Sequence, residues 1–546
     1  MRRFDDGCDR SGRDGQLYRD PSRRDFLVTA AGLAGVSSLA GASARRAGAQ
    51  TPRPVQGARG GVLKVALATE PSSLDNHTTT DTLVAMTMWH VYETLFTYDA
   101  SFQSLPLLAR SHEPSRDGLT HTVTLREKVR FHNGDELTSA DVVASVKRWG
   151  GLSSLGKSLL AATKELVATD RYKVEFRLKE PFSTLVVALS RSSQGCAIYP
   201  KSVIDASGTG PLKAFIGTGP YQFVERQADR FIRVKRHDGY VSPPGPASGY
   251  GGQKLQYLDQ IDFIPVPDEA ARLAGLKAGD FHYLERFSTD QYETLKNERN
   301  IITQILPPVE WPVFVINTKS GPMSNLKIRQ AFQAALDHEA IMQAGYGKGF
   351  YRLDPSLMFK ETAWHSTAGK ELYNLRDRER ARSLLREGRY DGTPVRFMST
   401  QEYKNMYNEA VVAQQNLEGA GFKVQPLVYD WSTMLKNRGD EKAWDVFVTG
   451  FVFRVDPVAL PFLPSCAWPG WWCNERKVAL ARQLQQGSDF RTRYKTYEDL
   501  QRVFYEDVPA IKVGDGLGVT AISSRLKGFD GRIQLEPEFS NVWLEK

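Results

Sequence analysis

The chain has 546 residues, more than one hydrophobic core accommodates, so its length alone implies two or three domains. Hydrophobic residues make up 41% and charged residues 25%, the balance of a soluble globular protein rather than of a disordered or membrane-embedded one. The formal charge of +8 is dispersed among interspersed acids with no block of consecutive Lys/Arg, which argues against nucleic acid as a partner.

In chain order, the first feature is Arg23-Arg24 ahead of a Gly/Ala-rich apolar run from Phe26 to Ala42, closed by Ala47-Gly48-Ala49. A paired arginine, a weakly hydrophobic run and an A-x-A site look like a twin-arginine export signal over 1–49, cut before Gln50, with a linker over 50–60. The run is too short and too rich in Gly, Ser and Thr to span a bilayer, and no later stretch is apolar for long enough. The mature protein is therefore expected to be soluble in the periplasm. Cys8 lies upstream of the run and cannot carry a lipid anchor. Of the other cysteines, Cys466 and Cys473 read as a local disulfide in an oxidising compartment. Metal binding is the rival reading, weakened by the lack of His or acid at ligand spacing, and Cys196 is left as a buried free thiol.

A strand over Leu63–Ala68 leads to a polar loop containing Thr79 and Asp81, and MTMWHVYETLFTYD reads as a helix feeding a short strand. Residues 118–149 are the most informative. Val123 and Leu125 alternate with polar neighbours, the period of a half-buried strand. Asn133-Gly134 signals a turn, and TSAD has the spacing of a capping box. Val142, Val143, Val146 and Trp149 then share one helical face. Further on, Ile328, Ala331, Phe332, Ala335 and Leu336 follow a helical period, with LDHE beyond them read as a solvated face. Residues 393–453 alternate strand, helix, strand, a Ser-capped helix over STMLKNRGDEKA, and strand. Pro426 suggests a bulge or an edge. That order implies a parallel sheet with crossover helices, whose ligands bind beyond the strands' carboxyl ends. The rule points to the loops Ser399–Tyr403, Tyr429–Ser432 and Gly450–Asp456.

The string DGLTHTVTLREKVRFHNGDELTSADVVASVKRW closely resembles a segment that marks the family 5 extracytoplasmic solute-binding proteins, the peptide and nickel class of receptors feeding ABC importers. GTGPYQFVERQADRFIRVKRHDGYV, IDFIPVPDEAARLAGLKAGDFHYL and SNLKIRQAFQAALDHEAIM resemble further blocks in family order, so the likeness covers about residues 60–546. It departs from the pattern at Asn76, where proline is usual, and at His282 or Tyr283, where an acid is usual. The resemblance implies an α/β, two-lobed periplasmic binding protein fold, large and type II-like, with an extra subdomain in the first lobe. Lobe I would comprise 61–310, lobe II 311–513, and 514–546 would return to lobe I. Crossings fall near Pro307–Pro312 and Val513–Gly518, where Gly514, Gly516 and Gly518 could supply hinge freedom.

Catalytic patterns are missing: no G-x-S-x-G elbow, no H-E-x-x-H helix and no phosphate loop. The reading is therefore a non-enzymatic, monomeric receptor with no cofactor, working with an ABC permease in the inner membrane on a peptide or peptide-like solute. The rival class is a periplasmic hydrolase or transferase. The resemblance places at Phe453 the aspartate that grips a peptide's amino group in relatives, and a phenylalanine there opens the alternative of an anionic or N-blocked solute, glutathione-, opine- or aromatic-acid-like. Arg454 stands where a subset of the family has an arginine able to hold a carboxylate. Trp468, Trp471 and Trp472 suit an aromatic wall. Tyr403, Tyr407 and Trp431 lie at strand ends, and Thr79 and Asp81 are polar candidates.

Overall fold

The computed structural model describes residues 57–190, 193–208, 210–487, 489–529, 531 and 536–546; the expected export signal lies outside the described residues. Among the described residues no helix is long and apolar enough to cross a membrane.

The strand Thr120–Leu125 alternates half-buried Thr with buried His121, Val123 and Leu125. It pairs antiparallel with Ala109–Pro114 and Lys173–Leu178, and the latter with Thr163–Asp170. The turn beyond it needs Gly134, whose φ of 89° suits glycine. Thr138 then caps the helix Ser139–Leu152 in a capping box, its N–H donating to Asp141 Oδ2 at 2.8 Å. Val142, Val146 and Trp149 are fully buried against Val123, Leu125 and Phe176, while Val143 packs at the margin. This small α+β unit has a core of its own.

Among the described residues the main sheet has twelve strands, ten of them on one path, with Tyr351–Arg352 and Ala510–Lys512 paired off it. From one edge its order runs Val424–Val428, Val395–Ser399, Val446–Val452, Ile301–Ile316, Asp515–Ser523, Tyr283–Leu284, Val62–Leu67, Gln260–Pro265, Phe231–Arg236 and Tyr221–Gln227. Val395–Ser399 is parallel to both its neighbours; the helix Lys404–Ala420 joins it to Val424–Val428, and Trp431–Asn437 joins that strand to Val446–Val452. Pro426 sits in the edge strand, where its missing N–H leaves no gap in the ladder. The helix expected to be Ser-capped starts earlier: Asp430 is the cap, accepting from Thr433 N at 2.8 Å, and Trp431 is already helical.

The apolar residues fall into separate cores. One gathers Trp311 through Val513, with Ala68 joining it; another combines Leu63 through Tyr283 with Ile522 through Val542. Ile301–Ile316 serves both bodies. Its first part pairs with Asp515–Ser523, and its last part with Val446–Val452 and Ala510–Lys512. The register slips between Ile305 and Pro308 and again between Pro308 and Glu310. Prolines 307 and 308 offer no N–H there, so the ladder cannot run through.

Other readings need correction. The apolar helix ends at Ala335, because Leu336 turns extended and Asp337 caps a second helix, His338–Tyr346. His338 is not solvated: it is 1% exposed and packs edge-on against Tyr373. None of Gly514, Gly516 and Gly518, where hinge freedom is expected, has a left-handed φ in this structure. Gly516 and Gly518 lie within a strand and provide space, since a Cβ on Gly516 would overlap the Tyr346 ring and one on Gly518 would crowd Val309 and Leu306.

Candidate ligand-binding cleft

A chamber of about 480 Å³ opens between the two bodies. Met86, Arg272, Arg286 and Phe287 line it from one side, and Tyr346, Phe350, Tyr403 and Asn405 from the other, with Glu310 of the shared strand between them. The elements aim these groups. Arg286 follows the strand Tyr283–Leu284, Tyr346 ends the helix His338–Tyr346, and Asn405 lies in the first turn of Lys404–Ala420.

Their polar atoms form a chain. Arg286 Nη1 donates to Glu310 Oε1 at 2.8 Å and Nη2 to Oε2 at 3.3 Å, a forked pair. Tyr346 donates to Glu310 Oε1 at 2.9 Å, and Asn405 Nδ2 to the Tyr346 hydroxyl at 3.2 Å. Arg286 Nε also meets Glu285 Oε1 at 3.2 Å, and its guanidinium stands 5.2 Å over the Tyr403 ring. Burial works against the Arg286 charge, but Glu310 and Glu285 hold it well above the usual arginine range. Burial likewise raises the Tyr346 phenol, and Glu310 adds to it. Gly450 makes room for this pair, because a Cβ there would fall on Glu310 Oε2.

A narrow arm of about 50 Å³ continues from the chamber, and Thr82, Arg286, Glu310, Tyr403 and Val452 line both. Asp81, Trp431, Arg454 and Trp468 line the arm together with Arg438. Arg438 Nη2 donates to Thr80 Oγ1 at 3.0 Å, a contact between the bodies. Asp81 is structurally engaged: Oδ1 caps the helix Thr82–Met88 through Leu83 N, and Oδ2 accepts from Ser72.

Five of the candidates chosen from sequence line neither space. Phe453 stacks on Phe359 with centroids 5.1 Å apart and touches Phe102 of the other body. Trp471 stacks on Trp444 at 5.5 Å. Trp472 donates to Asp507 Oδ2 at 2.8 Å and packs on Phe504. The expected wall of three indoles is thus reduced to Trp468, because Cys466 and Cys473 are disulfide-bonded and the loop they close turns Trp471 and Trp472 into the core. Tyr407 lies one turn along its helix beyond the cavity's reach, its N–H donating to Tyr403 O. Thr79 faces its own turn, accepting from Asp81 N at 3.1 Å. Cys196 is a buried free thiol, which burial pushes far up. Sequence reasoning missed Arg286, Glu310, Tyr346, Asn405 and Arg438. The one local hint was an acid set between Pro308 and Pro312, at the expected crossing.

Residues 104–467 match the bacterial extracellular solute-binding proteins, family 5 middle region. The chain is 26% identical to the probable peptide ABC transporter periplasmic-binding protein y4tO of Sinorhizobium fredii, over 93% of this chain and 97% of that one. It is 25% identical to the glutathione-binding protein GsiB of Escherichia coli K12, over 85% and 91%. Among solved structures, AgaA of A. tumefaciens R10 in complex with agropinic acid superposes with a TM-score of 0.78 at 23% identity, covering 89% of this chain and 99% of that one. DppA of Helicobacter pylori with the peptide STSA gives 0.77 at 21%, covering 90% and 99%. The fold is therefore that of the two-lobed periplasmic binding proteins, and the chain belongs to family 5 of the bacterial extracellular solute-binding proteins, the receptors of ABC importers.

Proposed function

We propose that this protein captures a peptide or peptide-like solute between its lobes and presents it to an ABC permease in the inner membrane. One observation carries the reading: a chamber of about 480 Å³ walled by both bodies and crossed by polar groups from each. That is the size at which a small organic ligand is largely engulfed. A solute touching both walls stabilises the closed arrangement relative to the open one, and the permease reads that difference. The turning points are assigned to 307–312 and 513–518, with lobe I as 61–310 plus 514–546 and lobe II as 311–513. The sharing of Ile301–Ile316 between both sets of strands supports this division.

The ligands named for the relatives, a peptide, glutathione and agropinic acid, all carry a carboxylate. The alternative of an anionic or N-blocked solute rests on the resemblance, which puts Phe453 where relatives carry an aspartate, although Phe453 itself lines neither space. Export through the twin-arginine-type segment 1–49, work as a monomer in the periplasm, and binding without turnover belong to the same reading. The names of the periplasmic relatives support it.

A thermal-shift screen over peptides, glutathione and opines tests it. A true ligand at a hundred times its Kd stabilises the fold by about 2.7 kcal/mol, and mass spectrometry should recover it unchanged. Conversion of the compound would favour a hydrolase or transferase, and a flat screen would remove the reading.

A further inference from the structure

The small α+β unit touches the body built from Trp311 to Val513 at a place away from the cleft. Ser183, in the segment after the strand Lys173–Leu178, donates its backbone N–H and its hydroxyl to the Gln485 carbonyl, at 3.1 and 3.0 Å. That carbonyl lies in the last turn of the helix Glu475–Gln486, beyond the reach of the helix's own N–H groups. One body thus caps a helix of the other. Beside this contact Glu180 forms an ion pair with Arg482 of the same helix. Val187 packs against the apolar core of the opposite body, and the Ser158 hydroxyl reaches the Pro464 carbonyl at 3.3 Å. None of these residues lines the chamber or its arm. The unit itself is fastened to the body that contains Leu74 and Tyr199. Arg148, on the helix Ser139–Leu152, holds both oxygens of Asp75 at 3.1 and 2.5 Å with its side chain 4% exposed, and Ser145 Oγ accepts from Tyr199 N at 3.0 Å. Parting a buried, forked pair of this kind is costly, so the unit travels with that body. Its contacts with Glu475–Gln486 exist only while the two bodies are together.

Resting on the receptor reading above, we propose that the α+β unit is a closure latch, in which Glu180, Ser183 and Val187 grip the end of the helix Glu475–Gln486 and set the affinity for every ligand by one common factor. These contacts are absent from the open arrangement, so they favour the closed one without touching the guest. Apparent affinity scales with the fraction of molecules in the binding-competent arrangement. A latch therefore strengthens all ligands alike, whereas a residue of the cleft acts on each ligand through that ligand's own groups. The effect falls mainly on the dissociation rate, because the latch closes after the solute has entered. The Glu180–Arg482 pair is the point to perturb. Its side chains are 31% and 65% exposed, so reversing one charge leaves the cores of both bodies untouched.

Met-Leu and glutathione, two solutes of different shape, are titrated into the full protein and its variants, and their release is followed by stopped-flow tryptophan fluorescence. Glu180→Arg and Arg482→Glu each set like charges against one another across the latch. Each is expected to weaken both solutes by the same factor, about two- to fivefold, through faster release. The double variant Glu180→Arg/Arg482→Glu rebuilds the pair in reverse and should restore both affinities. The unliganded variants are expected to melt close to the wild type, which separates a loosened latch from lost folding. Single variants that bind as the wild type does would overturn the latch while leaving the receptor intact. So would a factor that differs between the two solutes, or a double variant no better than the single ones. If the wild type binds neither solute, the receptor reading falls and the latch falls with it.

Discussion

Arg286 grips both carboxylate oxygens of Glu310, at 2.8 and 3.3 Å, and so ties the loop after Tyr283–Leu284 to the strand that runs through both bodies. The pair stands at the junction of chamber and arm, so it shapes the passage between them as well as bracing the crossing.

Breaking this pair from one side strands a charge. Glu310 is 3% exposed at its side chain and Arg286 30%, so solvent relieves part of the cost. Glu310→Gln is expected to lower stability by ~1–3 kcal/mol, below the range for a fully buried pair. Differential scanning calorimetry reads the loss. The double variant Arg286→Met/Glu310→Met should recover part of it, because the stranded guanidinium is gone although Glu285 loses a partner. A double variant as unstable as the single one would count against the pair as the cause.

Gly516 is a packing glycine, and its replacement makes a sharp test. A Cβ there overlaps the Tyr346 ring, whose hydroxyl is anchored on Glu310. Gly516→Ala is expected to cost ~1–3 kcal/mol through overpacking. Adding Tyr346→Leu should relieve the overlap, so that the two changes together cost less than their sum in a denaturation cycle. Strict additivity would mean that Gly516 is needed for backbone freedom after all.

The elements were legible where the signal was local. The alternation of Val123 and Leu125, the Asn133-Gly134 turn and the Thr138–Asp141 box each lie within a few residues and act through neighbouring backbone. Pro426 likewise announced a bulge or an edge, and its strand is the edge. The cleft was not legible, because Arg286, Glu310, Tyr346 and Asn405 come from four elements that only the sheet order brings together. The tryptophan cluster misled for the opposite reason. Trp468, Trp471 and Trp472 are close in sequence, but the disulfide-closed loop sends two of them to the core. His338 shows the same limit: an acid-flanked histidine looks solvated until a neighbouring segment covers it with Tyr373.

His338 should leave a mark on acid stability. Burial lowers its pKa from 6.5 to about 3, and neither ring nitrogen has a partner among the described residues. A depressed folded-state value means that the unfolded chain takes the proton first. Stability is whole above pH 6.5 and falls by ~1.4 kcal/mol per pH unit for this residue as pH drops toward 3. His338→Phe, apolar and similar in shape, is expected to flatten that limb with little change at pH 7. Urea midpoints measured between pH 4 and 8 decide it; parallel curves for the two proteins would refute the assignment.

Glu409 should act in the reverse direction. It is fully buried in the helix Lys404–Ala420, close against Gly345. Burial, reinforced by the Glu310 charge, raises its pKa well above the carboxylate range. For a raised value the sign inverts: its contribution is fully present below the unfolded pKa of 4.5 and is lost as pH rises toward the folded one. As pH rises above 4.5 the unfolded chain gains by ionising this carboxyl before the folded chain does. Glu409→Gln keeps the shape and cannot ionise, so it should be more stable than the wild type at pH 7–8, and the advantage should shrink toward pH 4. Melting temperatures across that range settle the point, and a variant less stable at every pH would show that Glu409 is charged and paired in the folded protein.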